Sequence, residues 1–174
     1  MILLAMIAAL ATPQQAGGRE FPQGWFLSTE ADGCRLYHND TSKTSLIVNY
    51  DVAADVVTVA IIDPAFAPIS NGSVVDSHIV FTSDTGVPLD TGSAPLTVMD
   101  FGDGAKGAIF SGKEATIRDI ATSSKLALTG YLVVNIDASA EPVAALRVCA
   151  KEHPTILPSV GAADGGKTNS SPPQ

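Results

Sequence analysis

The sequence predicts a mainly β protein, either a β-sandwich or a curved antiparallel sheet of about eight strands, with two short helices. Three observations carry this. The apolar segments are short, and most have a period of two or run continuously apolar. β-branched residues crowd them, as at Val56, Val57, Val59, Ile61 and Ile62, and such side chains favour strand over helix. Turn-forming residues separate them, as at Ala31-Asp32-Gly33, Ser70-Asn71-Gly72 and Thr129-Gly130.

The chain has 174 residues, a one-domain length. Met1 to Ala16 carries no charge, and Ile2 to Ala11 is almost continuously apolar. Polar residues follow from Thr12 to Gln15. This is the pattern of a secretory signal peptide over 1–16, although no Lys or Arg precedes the apolar run. The mature protein is expected to begin between Thr12 and Gly17. A single β-rich domain then fills 17–150.

Gly24 to Thr29 and Cys34 to His38 are predicted as the first strand pair, and Ser45 to Tyr50 and Val56 to Asp63 as the second. Pro64 stops that ladder. Val74 to Thr82 alternates: Val75, Ser77, Ile79 and Phe81 fall on one face, Asp76, His78 and Val80 on the other. Leu96 to Phe101 and Ala108 to Phe110 follow as strands. Lys113 to Ser124 sets Ile117, Ile120 and Ala121 at helical spacing. Leu126 to Leu128 and Tyr131 to Ile136 return to strand. A second helix starts near Ser139, with Glu141 and Pro142 in its first turn and Val143, Leu146 and Cys149 or Ala150 inward. Lys151 to Gln174 is rich in Pro and Gly and is predicted to be a disordered tail.

Ten Lys and Arg against 18 Asp and Glu give a net charge of −8. Lys151 and Lys167 offset Glu152 and Asp164, so that charge belongs to the domain. Such a balance argues against nucleic acid as a partner. No apolar run reaches the length of a membrane-spanning helix, so no integral segment is expected after signal cleavage. Export gives the two cysteines a meaning. An even count in an oxidising compartment favours a disulfide, here Cys34 with Cys149. Neither has the short-spaced His or Cys neighbours that zinc needs, so no metal is expected.

The motifs that resemble chemistry are near-misses. Asp90-Thr91-Gly92-Ser93, echoed by Asp84-Thr85-Gly86, matches the active-site loop of pepsin-like proteases. In those enzymes two aspartates share a proton, so this chain would have to act as a homodimer through Asp90. Val87-Pro88-Leu89 interrupts the strand such a loop requires, and paired turns are the better expectation. Gly107 to Lys113 has phosphate-loop spacing, but Glu114 stands where the Mg²⁺-binding hydroxyl belongs. Asp100-Phe101-Gly102-Asp103-Gly104 lacks the ligand spacing of a calcium loop and is expected to be a hairpin turn. His38, His78 and His153 do not assemble into a motif and are expected at the surface or rim. The aromatics are spread singly.

One resemblance covers roughly Trp25 to Cys149. Gly24-Trp25, Gly33-Cys34, Asp63-Pro64-Ala65-Phe66 and the closing Ser139 to Cys149 segment occur in an order that resembles small exported alphaproteobacterial proteins. These are distantly similar to the invasion-associated locus B family. They share a Trp near the mature start, a Cys pair and a final helix ending in Cys. The chain lacks the further cysteines of the better-known family. The resemblance implies no catalytic residues and no cofactor. The expected function is therefore a non-enzymatic exported domain, periplasmic or secreted, that binds an unknown protein or envelope component. The alternatives are the homodimeric aspartic protease and a small acidic inhibitor or binding module.

Overall fold

Alternating burial along the strands builds one continuous antiparallel sheet. The computed structural model describes residues 17–40 and 43–154. The expected signal peptide, and the tail from residue 155 on, lie outside the described residues. The strands are β1 (Gly18–Phe21), β2 (Trp25–Glu30), β3 (Gly33–Asn39), β4 (Ser45–Asp51), β5 (Val56–Ile62), β6 (Val74–Thr82), β7 (Pro88–Asp100), β8 (Lys106–Gly112), β9 (Lys125–Leu128) and β10 (Leu132–Asn135). The helices are α1 (Glu114–Ala121) and α2 (Ala140–Glu152).

The ten strands order as β1-β2-β3-β4-β5-β8-β7-β6-β9-β10. The first five form a meander. The chain then crosses outward to β6, returns by two hairpins through β7 to β8, and β8 pairs with β5. Helix α1 carries it back over to β9, on the far side of β6.

One face of this sheet holds the core. Leu36, Leu46, Val48, Val57, Val59, Ile61, Leu96, Val98, Leu126, Leu128 and Val134 are all buried there. Ile117 and Ile120 of α1, and Val143, Leu146 and Cys149 of α2, are buried with them. Each buried aliphatic side chain contributes about 1.5–3 kcal/mol. Helix α2 packs across β2, β3 and β4 and against α1.

The strand count corrects the expectation of about eight. β1 is a four-residue edge strand with a charged middle, Arg19-Glu20, and no apolar alternation to reveal it. β7 begins at Pro88 rather than near Leu96. Its pairing with β8 covers only Thr97 to Asp100, so its first half has a partner on one side alone, β6. That is where Pro88 and Pro95 are tolerated, since neither has an N–H to give to a second ladder.

The helices differ in detail. α1 is shorter than Lys113 to Ser124, and Asp55 caps it from outside through Oδ1 and the Glu114 N–H. Ser139 stands at the start of α2 but makes no side-chain cap there. Its hydroxyl donates instead to the Ile120 carbonyl at 2.7 Å, tying α2 to α1. Helix α2 continues through Glu152, so Lys151 and Glu152 belong to the domain and not to a tail.

Candidate functional site

The strands nearest the two ends of the sheet order meet. Trp25 Nε1 of β2 donates to the Asp137 carbonyl at 2.8 Å, just past β10. His38 Nε2 of β3 lies 2.7 Å from the Asn135 carbonyl of β10. The Asn135 N–H reaches Asp40 Oδ2 at 3.4 Å. A carbonyl only accepts, so Nε2 carries the proton. The Trp25 and His38 rings stack with centroids 4.4 Å apart.

Local backbone shapes this seam. Gly24, just before Trp25, has φ +78, and a Cβ there would come within 2.9 Å of the Asn39 carbonyl oxygen. Gln23 (φ 58) and Ala138 (φ 57) are left-handed without being glycine, one at each side of the seam. Such residues carry strain of the order of 1 kcal/mol or more.

A cavity of about 490 Å³ opens against the seam, lined by Gln23, Gly24, His38, Asn39, Asp40, Asn135 and Asp137. His38 is only 4% exposed, which corrects the surface or rim placement expected for it. Its Nδ1 is buried and completes no hydrogen bond. Burial pushes the ring's pKa below the ordinary 6.5. The Asn135 carbonyl, the charges of Asp40 and Asp137 and the nearby Gln23 backbone oppose that shift without overcoming it. The cavity wall therefore combines the buried His38 ring, two carboxylates and the amides of Gln23, Asn39 and Asn135, which can both donate and accept.

The cysteines are brought together. Cys34, near the start of β3, and Cys149, near the end of α2, form a disulfide with Cα atoms 6.0 Å apart. The bond crosses 115 residues of sequence and fastens α2 over the sheet. Thr29 Oγ1 lies 3.4 Å from Cys149 Sγ.

The other motifs fall elsewhere. Asp90-Thr91-Gly92-Ser93 is neither a protease loop nor the expected turn. It lies within β7, with Asp90 opposite Phe81 and Gly92 opposite Ile79. A ladder segment is not the loop that holds two carboxylates together. Asp84-Thr85-Gly86 is a turn, closed by the Gly86 N–H on the Ser83 carbonyl. Gly107 to Gly112 is strand and Glu114 opens α1, so no phosphate loop forms. Asp100 to Gly104 is the β7–β8 hairpin turn, with Gly102 and Gly104 left-handed. His78 is exposed on the polar face of β6, and His153 follows α2. Among the described residues, no group of three or more His, Cys, Asp or Glu could hold a metal.

Sequence reasoning missed the seam because its parts lie about 97 to 112 residues apart. Four of the scattered aromatics also turn out to be paired, Phe66 with Tyr131 at 5.6 Å between centroids and Phe26 with Tyr37 at 6.3 Å. Against known families, curated proteins and solved structures, the chain finds no match.

Proposed function

We propose that this protein is an exported, non-enzymatic binding domain of the cell envelope, stapled by Cys34–Cys149, which takes its ligand at the seam cavity. The observation that carries the binding reading is the cavity itself. It is concave, of a volume typical for small-molecule sites, and walled by polar groups of β3, β10 and the segments beside them, which are joined by the His38–Asn135 hydrogen bond. The disulfide supports export, because such bonds persist in oxidising compartments. The uncharged apolar start of the chain and the resemblance to small exported envelope proteins support it as well.

A hydrolase panel tests the non-enzymatic part. The purified, oxidised protein is expected to show no turnover on peptide, ester, glycoside or phosphoester substrates. Turnover that disappears in Asp90→Asn or His38→Gln would contradict the reading and name the catalytic group.

A further inference from the structure

The ladder between β7 and β8 stops partway and leaves a split in the sheet. We infer that this split is a docking edge for an extended peptide of another protein, neutral or basic, that lowers one aliphatic side chain into the core. The register shows which groups are free. Val98 hydrogen-bonds Gly72 and Ser73 on the β6 side, while Thr97 and Met99 pair with β8 on the other. Main-chain groups alternate sides along a strand, so those of Thr91, Ser93 and Pro95 also face away from β6. The next rung after Thr97–Ile109 would join Pro95 to Ser111. Pro95 has no N–H to give the Ser111 carbonyl, and the ladder ends there. Among the described residues no strand pairs with this side of β7 from Pro88 to Leu96, nor with the facing side of β8 at Ser111. Ser93 and Ser111 are both exposed.

Beneath the split lies a cavity of about 130 Å³, walled by Ile79, Phe81, Phe110 and Thr116 and by the small Gly92 and Ala94. Ile79, Phe81 and Phe110 are buried core residues, so the split opens onto the core. A void of about 150 Å³ in an apolar core holds a benzene-sized group, and this one suits a single aliphatic side chain. A free edge recognises the main chain of a strand, and a cavity below it selects a side chain. Three features choose the occupant. A second copy pairing through its own β7 would bring only Gly92 and Ala94 over the cavity and leave it unfilled, and its Pro95 would again withhold a donor. The hairpin from Val74 to Asp100 contains four Asp and no Lys or Arg, so it repels its own copy and favours a neutral or basic strand. Pro88 and Pro95 stand at the two ends of the open edge, which therefore takes a short strand and not an indefinite sheet.

This edge shares no lining residue with the seam cavity, so either site can fail without the other. The experiment titrates the full chain, disulfide intact, with four blocked heptapeptides, Lys-Thr-Xaa-Thr-Xaa-Thr-Lys with Xaa as Ala, Val, Leu or Phe. Calorimetry reads affinity and amide exchange reads Ser93. Saturable binding is expected, tighter with Val or Leu than with Ala or Phe, weaker when both Lys are replaced by Glu, and accompanied by slower exchange at Ser93. N-methylating alternate residues, in two complementary versions, should weaken at least one version by about tenfold, the scale of two lost main-chain bonds. Ser93→Pro removes the outward N–H and leaves the β6 ladder intact. Gly92→Leu fills the cavity from a position where a Cβ meets nothing within 4 Å. Each should weaken binding by about tenfold with a urea transition like the parent's, and Gly92→Leu decides if Ser93→Pro does not fold. No saturable binding of any of the four peptides overturns the inference, as does indifference to both N-methylated versions or an unchanged affinity in Gly92→Leu. A concentration-dependent dimer that protects the Ser93 amide would give the edge to a second copy. Protection at Ser93 that vanishes when residues 155–174 are removed would give it to the chain's own tail. Either result overturns the assignment to another protein.

Discussion

His38 couples the seam to pH. Its folded-state pKa lies below the ordinary 6.5, because burial disfavours the imidazolium. The unfolded chain therefore takes up a proton more readily than the folded one. The contribution is fully present above about pH 6.5 and is lost as pH falls below it toward the folded value. Urea unfolding followed at pH 7 and pH 5 should show lower stability at pH 5. His38→Phe should show a smaller difference between the two, since a phenyl ring keeps the stack on Trp25 and has nothing to titrate. An equal difference in both proteins would remove His38 from the account. Two backbone positions beside it make opposite predictions. Gly24→Ala places a methyl into the Asn39 carbonyl from a left-handed backbone and should cost about 1–3 kcal/mol. Ala138→Gly relieves a left-handed alanine and should leave stability unchanged or raise it by up to about 1 kcal/mol. Both are read from thermal or urea transitions.

At the scale of elements, the bridge does what its position suggests. It joins the early strand β3 to the last helix across 115 residues of sequence. Cys34→Ala with Cys149→Ala should cost about 2–5 kcal/mol. The last turns of α2 should lose hydrogen-exchange protection before the sheet does, because Cys149 is their covalent anchor. Ser139→Ala removes a buried bond to the end of α1 and should cost about 1 kcal/mol, with α1 and α2 loosening together.

Most elements were legible in the sequence because their signals are local. The alternation in β6 set Val75, Ser77, Ile79 and Phe81 on one face, and that face is the inner one, with Val75 half-buried and the other three buried. The helical spacing of Ile117 and Ile120 found α1's buried face, and the turns at Asp84-Thr85-Gly86 and Asp100 to Gly104 followed from their composition. What escaped depends on tertiary context. β1 is a strand because β2 offers it an edge, and the start of β7 because β6 does. Propensity opposed both, through a charged pair in one and two prolines and a glycine in the other. Ser139 carried a capping signal that the structure uses for a different carbonyl. The cysteine pair was legible from its even number and the expected export. His38, Asp40, Asn135 and Asp137 were not, since nothing in the chain signals that the last strand returns to β2 and β3.

At the scale of the molecule, one sheet of ten strands has its far strands joined at a seam, two helices laid across one face and a covalent clamp at the other end of α2. None of the described helices is long and apolar enough to cross a membrane. The arrangement suits the exported binding domain proposed above, with a covalent staple and a cavity lined by two carboxylates. The account's central claim, an exported domain held by its disulfide, is tested most directly by fractionating the native host and mapping the protein by mass spectrometry under non-reducing conditions. The account predicts a chain in the periplasm or medium that begins between Thr12 and Gly17, with the Cys34 and Cys149 peptides linked. A cytoplasmic chain that keeps Met1 to Leu10 and yields two free thiols would contradict it.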